Sequence, residues 1–442
     1  MSEKPGLLVH NAAEIATLEG GVRRGETQND LALLINDVET PAQAASAVAS
    51  YEGRIVAVGR LSEVEAHLEW LGIPQSSMER LDAQRGTVTP GLIDPHTHLL
   101  FAGTRHAEVE MRQRGHSYLE ILAAGGGILQ TVRMTRAASD DELLEHGRKW
   151  LREMASHGVT TVEAKSGYGL DAQAELRLLA AAETLNAEGP IELIPTFLGA
   201  HAVAPEFRDR PDAADAYVES VINQQLPAVA EQGIARFCDI FCEDGVFDAE
   251  QSRRVLNAAR KLGITPRLHA DQIRNSGGAE LAAQFEAASA DHLAAISDKG
   301  IAALAEAANG DRPTVATLLP VPGLFLAEEH APPARKLIDA GVPVAVGTDF
   351  NPGTSPAPNA ALSMALAVHQ FKMTPAEALA AATINAAAAL RIDDSHGSIE
   401  VGKHADLAIW SVDTHALLPY WLGANLVSKV IKRGRVIYSI ET

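Results

Sequence analysis

Apolar and polar residues alternate in short runs at both ends of the chain and in longer, repeated blocks between them. Near the N-terminus, residues 31–36 and 54–59 are β-prone runs, and a Glu-Gly turn precedes the second. Near the C-terminus, residues 397–410 alternate and then become apolar, and residues 427–438 predict a hairpin across 432–435. We expect the two ends to form one small β-sandwich domain.

The middle of the chain instead repeats a strand, a loop and a helix. Capping boxes at residues 139–142, 248–251 and 374–377 open three of the helices. Strands that alternate with helices favour a parallel sheet, and eight of them predict a (β/α)8 barrel. An open, doubly wound sheet is the alternative, but the glycine-rich phosphate loop that it uses is missing here. The predicted strands are the run leading to His96, followed by residues 159–165, 191–197, 237–242, 266–269, 288–293, 314–319 and 343–348.

The length of the chain agrees with two units, because 442 residues exceed one ordinary hydrophobic core. We expect the barrel at residues 88–390. It would be inserted into a β-domain that residues 1–87 and 391–442 form together.

The formal net charge of −20 argues against nucleic acid as a partner, although one local arginine can still bind an anionic substrate. We expect no membrane span, signal peptide or transit peptide, because no apolar run is long enough and the first residues have the wrong pattern. Cys238 and Cys242 are the two cysteines of the chain. Four residues apart on a strand, their Cα atoms would lie about 13 Å apart, too far for a disulfide. Reduced cysteines favour a cytoplasmic protein.

Histidine and aspartate follow several predicted strands at the end where barrel enzymes carry their chemistry. His96 and His98 close the first strand, and alternation along a strand points both side chains the same way. Each of these residues alone could be structural, but together they predict one site. The later members are His201, His269, His292 and Asp349, after the third, fifth, sixth and eighth strands.

Four of these side chains form a donor set for a metal. His96, His98, His269 and Asp349 offer three nitrogens and one oxygen, which suit one zinc or iron ion that keeps an open position for water. Such an ion lowers the pKa of the water towards neutrality. We expect His292 beside the metal, taking or returning a proton, and Asp349 as both ligand and proton shuttle.

Several motifs resemble those of the amidohydrolase superfamily. They are Pro-Gly-Leu-Ile-Asp-Pro-His-Thr-His ending at His98, the strand that carries His269, Ala-Asp-His ending at His292 and Gly-Thr-Asp ending at Asp349. Residues 397–407 resemble the companion β-domain of that superfamily. More narrowly, the chain is similar to the imidazolonepropionase family of histidine degradation over nearly its whole length. Residues 94–105, 125–128, 165–169, 197–201 and 348–354 carry this resemblance.

The resemblance implies hydrolysis of the cyclic C–N bond of 4-imidazolone-5-propanoate to N-formimidoyl-L-glutamate by a hydroxide activated on one metal. It also implies a homodimer and a metal held by the four ligands above. Arg105 would bind the propionate carboxylate, a bidentate task that suits a guanidinium. The other implied substrate contacts are Tyr168, His201, Gln272, Asn351, Gly353 and Thr354. Residues 125–127 form either a mobile cover over the site or a plain flexible loop.

Position 272 departs from the family pattern. Many relatives have glutamate three residues after the strand-five histidine, and this chain has Gln272. An amide cannot shuttle a proton, so that role would pass to His292, Asp349 or the metal-bound water. Gln272 can still donate to the ring and accept from it.

Two alternatives remain open. Deaminases of heteroaromatic amines use a similar metal set, but they protonate a ring nitrogen with the glutamate that Gln272 replaces. A barrel scaffold without chemistry is the second alternative. Two-metal relatives need a carboxylated lysine on strand four, which residues 237–242 do not contain, so we expect one metal. Lys165, on strand two, is expected to orient a loop or to be a buried, paired residue.

Overall fold

The computed structural model of the chain describes residues 5–440, except residues 38, 42–43, 117–119 and 122–123. Within this part, seven strands precede the barrel: β1 (Gly6–His10), β2 (Glu14–Ala16), β3 (Leu33–Ile35), β4 (Ser46–Tyr51), β5 (Arg54–Arg60), β6 (Met78–Asp82) and β7 (Thr87–Pro90). Four of them form a sheet in the order β5–β4–β1–β6. Helix α1 (Leu61–Trp70) packs on β4 and β5 with Leu61, Val64 and Leu68 buried.

The barrel strands pair in parallel around the centre of the molecule. β12 and β13 are two halves of one barrel strand, because the N–H of Arg267 between them donates to Cys238 O at 2.9 Å and continues the pairing with β11. Eight strand positions result, which confirms the predicted barrel. The strands are β8 (Leu92–Asp94), β9 (Val159–Lys165), β10 (Glu192–Ala200), β11 (Phe237–Cys242), β12 (Thr265–Pro266), β13 (Leu268–Ala270), β14 (Ser289–His292), β15 (Val315–Leu318) and β16 (Val344–Val346).

The first and last barrel strands meet just beyond their carboxyl ends. The N–H of Asp349 donates to His96 O at 3.0 Å, and the N–H of His98 donates to Phe350 O at 2.9 Å. Below this contact, the Thr348 hydroxyl donates to the buried Asp94 carboxyl at 2.6 Å. The closing hydrogen bonds therefore hold the first two predicted ligands beside Asp349.

Helices connect the barrel strands. The predicted capping boxes are confirmed: the side chains of Ser139, Asp248 and Thr374 accept the N–H groups three residues on, at the starts of the helices Asp140–Ser156, Ala249–Lys261 and Pro375–Ala381. A π-helical turn, Val221–Gln225, lies between the helices Ala213–Ser220 and Leu226–Gln232. The described helices are α2 (His106–Gln113), α3 (Ile128–Ala137), α4 (Asp140–Ser156), α5 (Ala172–Glu188), α6 (Ala213–Ser220), α7 (Leu226–Gln232), α8 (Ala249–Lys261), α9 (Gly278–Gln284), α10 (Asp298–Ala307), α11 (Pro320–Leu326), α12 (Ala334–Asp339), α13 (Ala360–Phe371), α14 (Pro375–Ala381) and α15 (Ile384–Ala389).

The two ends of the chain share a second sheet. The last strands, β17 (Leu407–Trp410), β18 (Val427–Lys432) and β19 (Arg435–Ser439), continue through β7 in the order β19–β18–β17–β7–β2–β3. Leu7 and Val9 from the first sheet and Ile15 and Ile409 from the second belong to one buried cluster. The predicted sandwich from both termini and its final hairpin are therefore confirmed. The boundaries at residues 87/88 and 390/391 stay a prediction, and β7 leads into β8 across Gly91 alone.

Two further observations concern the sequence expectations. Cys238 and Cys242 are both buried free thiols on β11. Among the described residues, no helix combines the length and the apolar character needed to cross a membrane.

Candidate metal centre

The four predicted metal ligands converge at the carboxyl end of the barrel. Asp349 Oδ1 lies 3.4 Å from His96 Nε2 and 3.3 Å from His98 Nε2. His98 Nε2 is in turn 3.4 Å from His269 Nε2. Ligand atoms about 3.3 Å apart are what tetrahedral bonds to zinc of about 2.0–2.1 Å impose. Ligand atoms of His96, His98 and Asp349 all lie within 4.8 Å of one another, and His269 joins two neighbouring groups, one with His98 and His201 and one with His96 and His292. These groups of donor atoms could hold a metal ion.

The side chains of the four candidate ligands are almost fully buried. Burial lowers the pKa of His96 to about 4 and also lowers the pKa of His98, so both imidazoles are neutral at pH 7. Although burial raises it, the close approach of the His96 and His98 imidazoles holds the pKa of Asp349 well below its usual value. His96 Nε2 is buried and has no hydrogen-bond partner among the described residues. A lone pair left in this way is available to a cation.

Two buried aspartates, Asp291 and Asp239, each lie next to the Nδ1 atom of a candidate ligand histidine. His96 Nδ1 lies 2.7 Å from Asp291 Oδ2 and donates to it, which turns the lone pair of Nε2 towards Asp349. His269 Nδ1 lies 3.0 Å from Asp239 Oδ2, on the side away from His98. Carboxylates in this position fix the ring orientation of a metal ligand and raise its basicity.

Two buried cations hold these aspartates. Lys165 Nζ donates to Asp239 at 2.6 Å and to Glu163 at 2.9 Å. Arg267 Nη2 donates to Asp291 at 3.1 Å, and its Nε lies 3.3 Å from Glu163. The side chains of this network have no solvent exposure. Lys165 is thus a buried, paired residue, as one of the two sequence interpretations proposed.

The charges around the site do not balance among the side chains themselves. Lys165 and Arg267 contact three carboxylates, those of Glu163, Asp239 and Asp291. A fourth buried carboxylate, that of Asp349, lies on the other side of His96. Two negative charges are left over in a region where uncompensated charge is costly. One divalent cation carries the opposite charge, so both the donor atoms and the charge of the site fit a divalent metal.

A cavity of about 830 Å³ opens above the ligands. The structure brings most of the predicted residues to its wall: His98, Arg105, Tyr168, His201, His269, Gln272, His292, Asp349, Asn351 and Thr354. Gly353 lies beside Arg105 instead, and a Cβ there would come within 2.0 Å of Arg105 Nη1. The volume suits a small heterocycle with a short side chain.

Tyr168, His201 and His292 border the ligands inside the cavity. The His201 ring stacks on His98 with centroids 4.8 Å apart, and its Nδ1 lies 3.1 Å from Gly167 O. Burial raises the pKa of the Tyr168 phenol, which therefore remains a hydrogen-bond donor. The His292 ring lies 5.1 Å from that of His269, and its Nε2 is buried without a partner among the described residues.

Arg105 is already engaged on one edge. Its Nε and Nη2 donate to Glu108 at 2.9 and 2.8 Å, so the side edge of the guanidinium is occupied. The end edge of the guanidinium, formed by Nη1 and Nη2, therefore remains for the expected bidentate binding of a substrate carboxylate.

Asn351 builds the turn that follows Asp349. Its Oδ1 accepts the N–H groups of Gly353 and Thr354, both at 2.8 Å, and its Nδ2 donates to Asp349 O at 2.7 Å. The side chain is largely used within the protein, and it shapes the cavity wall near Arg105.

The loop that carries Gln272 wraps around a buried carboxylate. Glu243 accepts the backbone N–H groups of Gln272, Ile273 and Arg274 at 2.8–3.0 Å. The backbone of Gln272 is therefore fixed at the mouth of the cavity, and its amide lines the wall.

Four carboxylates next to the site were not identified from the sequence. Asp239 and Asp291 stood in strands predicted to be buried, and a charged residue inside an apolar run was the available signal. Glu108 follows Arg105 by three residues, a spacing that pairs side chains at the start of a helix. Glu328 also lines the cavity, and it follows α11 without a sequence pattern that would mark it. Burial raises the pKa of Glu328, and the negative charge of Asp349 adds to this effect.

A second histidine cluster lies between barrel and β-sandwich. His396 Nε2 is 3.1 Å from Glu192 Oε2 and 3.2 Å from His404 Nδ1. Lys432 and Arg433 each lie 3.1 Å from the same glutamate oxygen. The glutamate is thus already neutralised by two cations, and this cluster joins the two domains without needing an ion.

The chain is similar in sequence to known proteins over nearly its whole length. The family model described as "Amidohydrolase family" matches residues 87–437. A protein of Symbiobacterium thermophilum named imidazolonepropionase is 46% identical over 98% of this chain and 97% of its own length. A protein of Geobacillus kaustophilus with the same name is 45% identical over the same shares of the two chains.

Among solved structures, an adenosine deaminase from Xanthomonas campestris with bound zinc has a TM-score of 0.67. The alignment covers 98% of this chain and 93% of that one, at 19% identity. At that identity the likeness establishes a shared fold and nothing about the substrate.

Proposed function

Since the chain belongs to the amidohydrolase family and, within it, to the imidazolonepropionases, we propose that it hydrolyses the cyclic C–N bond of 4-imidazolone-5-propanoate. The product is N-formimidoyl-L-glutamate. The observation that carries the proposal is the identity of 45–46% to imidazolonepropionases over nearly the whole chain. The cavity agrees with it, because Arg105 and the histidine cluster both line one space, as an anionic ring substrate requires.

The identity of the metal ligands and of the metal ion is also part of the proposal. His96, His98, His269 and Asp349 would hold one divalent ion, zinc or iron, since their nitrogen and oxygen donors suit both. The bound ion supplies hydroxide at neutral pH and polarises the carbonyl that is attacked. Asp291 and Asp239, which lie 2.7 Å from His96 Nδ1 and 3.0 Å from His269 Nδ1, would orient these two imidazoles for metal binding.

Ring opening adds water across the C–N bond. The hydroxyl joins the carbonyl carbon, the C–N bond breaks, and the nitrogen takes the second proton. With Gln272 unable to supply it, we assign the proton transfer to His292 and Asp349. The unpaired Nε2 of His292, buried beside His269, supports this assignment.

The remaining residues would bind and orient the substrate. Arg105 faces the propionate, and Tyr168, His201 and Gln272 offer donors and acceptors to the ring. Asn351, Gly353 and Thr354 shape the wall next to Arg105 and would contact the substrate or the glutamate end of the product. A homodimer in the cytoplasm completes the proposal.

The test uses protein purified without chelator and freshly prepared 4-imidazolone-5-propanoate. We expect a product heavier by one water, identified as N-formimidoyl-L-glutamate by mass spectrometry, with no ammonia. Ammonia from heteroaromatic amines without ring opening would make the protein a deaminase. A chain that turns over no substrate and binds no stoichiometric metal would be an inactive scaffold.

A further inference from the structure

Glu108 is a nearly buried carboxylate in the first turn of α2, 4% exposed. It accepts two hydrogen bonds from Arg105, at 2.9 and 2.8 Å, and a third from the N–H of Gly127 at 2.7 Å. Arg112 Nη1 lies 3.7 Å from it. Burial opposes its charge, but Arg105 and Gly127 more than offset this and lower its pKa, so the carboxylate is ionised.

The contacts of Arg105 leave its guanidinium one orientation. Glu108 occupies the side edge, and Gly353 lies so close to Nη1 that a side chain there would collide with it. Within the described residues, Glu108 is the sole hydrogen-bond acceptor of Arg105. The end edge, with one N–H from each terminal nitrogen, is therefore left for a ligand in the cavity that Arg105 lines.

The local charge also favours an anion. Two guanidinium groups, those of Arg105 and Arg112, face the single carboxylate of Glu108. One positive charge remains, enough to bind one carboxylate.

We infer that Glu108 is the positioning residue for substrate carboxylate binding, an inference that rests on the proposed function. It holds the end edge of Arg105 towards the cavity. Through its hydrogen bond from Gly127 it also connects the turn at residues 125–127 to the Arg105–Glu108 pair. The recognised group is one carboxylate on a small ring substrate or its open-chain product. Glu108 acts through Arg105 and takes no part in bond breaking.

The same helix offers a matched control. Glu110 pairs with Arg114 on the exposed side of α2, where 67% and 70% of the two side chains are accessible. Such a surface pair contributes little. Glu110→Gln therefore repeats the chemical change of Glu108→Gln on the same element, away from the cavity.

The experiment measures kcat and KM of the metal-loaded enzyme with two substrates, 4-imidazolone-5-propanoate and its propanamide. Glu108→Gln makes the local charge beside the substrate carboxylate one unit more positive, but it also releases the guanidinium of Arg105 from its fixed orientation. We expect the loss of orientation to dominate and to raise KM for the acid about 10- to 100-fold, the range for charge-assisted hydrogen bonds, with kcat nearly unchanged. KM for the amide should stay the same, and Glu110→Gln should change neither substrate. Equal increases in KM for acid and amide would make Glu108 a structural residue and overturn the inference.

Calorimetry with N-formimidoyl-L-glutamate gives a second readout that needs no turnover. Glu108→Gln should bind it at least about tenfold more weakly than the wild type does, and equal affinities would contradict the inference. If the wild type binds this compound but opens no ring, the proposed function fails while the carboxylate site stands. If the wild type opens the ring but Glu108→Gln leaves KM for the acid and affinity for the product unchanged, the inference fails while the proposed function stands. Circular dichroism and thermal unfolding of each variant confirm that it is folded.

Discussion

Replacing Asp291 by asparagine removes one negative charge next to the proposed metal ligand His96 while keeping the shape of the side chain. Asp291 Oδ2 accepts from His96 Nδ1 at 2.7 Å and from Arg267 Nη2 at 3.1 Å. An amide oxygen in the same place retains both hydrogen bonds but loses their charge assistance. The substitution therefore tests whether the charge itself supports metal binding.

The magnitude follows from the charge balance of the site. Loss of an orienting partner behind a histidine ligand lowers metal affinity about 10- to 100-fold, and we expect that range for Asp291→Asn. The metal-free protein has two surplus negative charges when Asp349 is counted with the network, so relief of repulsion offsets the weaker hydrogen bonds. We expect the free energy of unfolding of the metal-free variant to stay within about 1 kcal/mol of the wild type.

Comparison with Asp291→Ala separates the effect of losing the charge from the effect of losing the hydrogen bonds. It removes both hydrogen bonds and leaves the buried Arg267 with Glu163 and two backbone carbonyls. Breaking a buried pair costs about 3–5 kcal/mol, and the remaining partners of Arg267 place this variant at the lower end. Asp339→Asn, in an exposed pair with Arg335, is the control and should change neither property.

The assay combines zinc affinity, measured by competition with a chromophoric chelator, with urea unfolding of the metal-free proteins. Wild-type affinity in Asp291→Asn would refute the role of the charge. Equal destabilisation by asparagine and alanine in the metal-free state would refute the charge balance on which the estimate rests.

Three other substitutions test single residues. Arg105→Ala should raise KM for 4-imidazolone-5-propanoate about 100-fold and leave a ring without the acid unaffected; equal effects on both would remove its role in binding the carboxylate. His292→Ala should lower kcat about 10²- to 10⁴-fold with metal content intact, whereas loss of metal would make it a ligand. Gly353→Ala should raise KM for the acid without lowering thermal stability, because the added Cβ would lie 2.0 Å from Arg105 Nη1; an unchanged KM would show that Arg105 moves aside without loss.

The barrel could be predicted because its strands are short apolar runs separated by capped helices. β9 begins and ends where the sequence pattern places it, at Val159 and Lys165. β10 instead continues past Phe197 to Ala200, with an irregular register to β11. The fifth strand is divided at Arg267, a charged residue that strand periodicity does not anticipate and that the buried carboxylates explain.

The convergence of the candidate ligands followed from one rule, that parallel barrel strands end on the same face. Their partners could not be predicted in the same way, because Asp239 and Asp291 come from the two strands on either side of β13, and the register of these strands is set only by folding. The Arg105–Glu108 pair was accessible from its spacing, but its burial depends on Gly127 and Gly353, which are distant in sequence. Whether Asn351 and Gly353 touch a substrate stays a prediction.

The central claim is that His96, His98, His269 and Asp349 hold one divalent ion that ring opening requires. Metal analysis by mass spectrometry on wild type, His269→Ala and Asp349→Ala, each purified without chelator, tests it most directly. We predict one zinc or iron per wild-type chain, a large loss of metal in both variants and loss of ring opening in proportion. A wild-type protein that opens the ring without metal, or variants that retain a full complement of metal, would contradict the account.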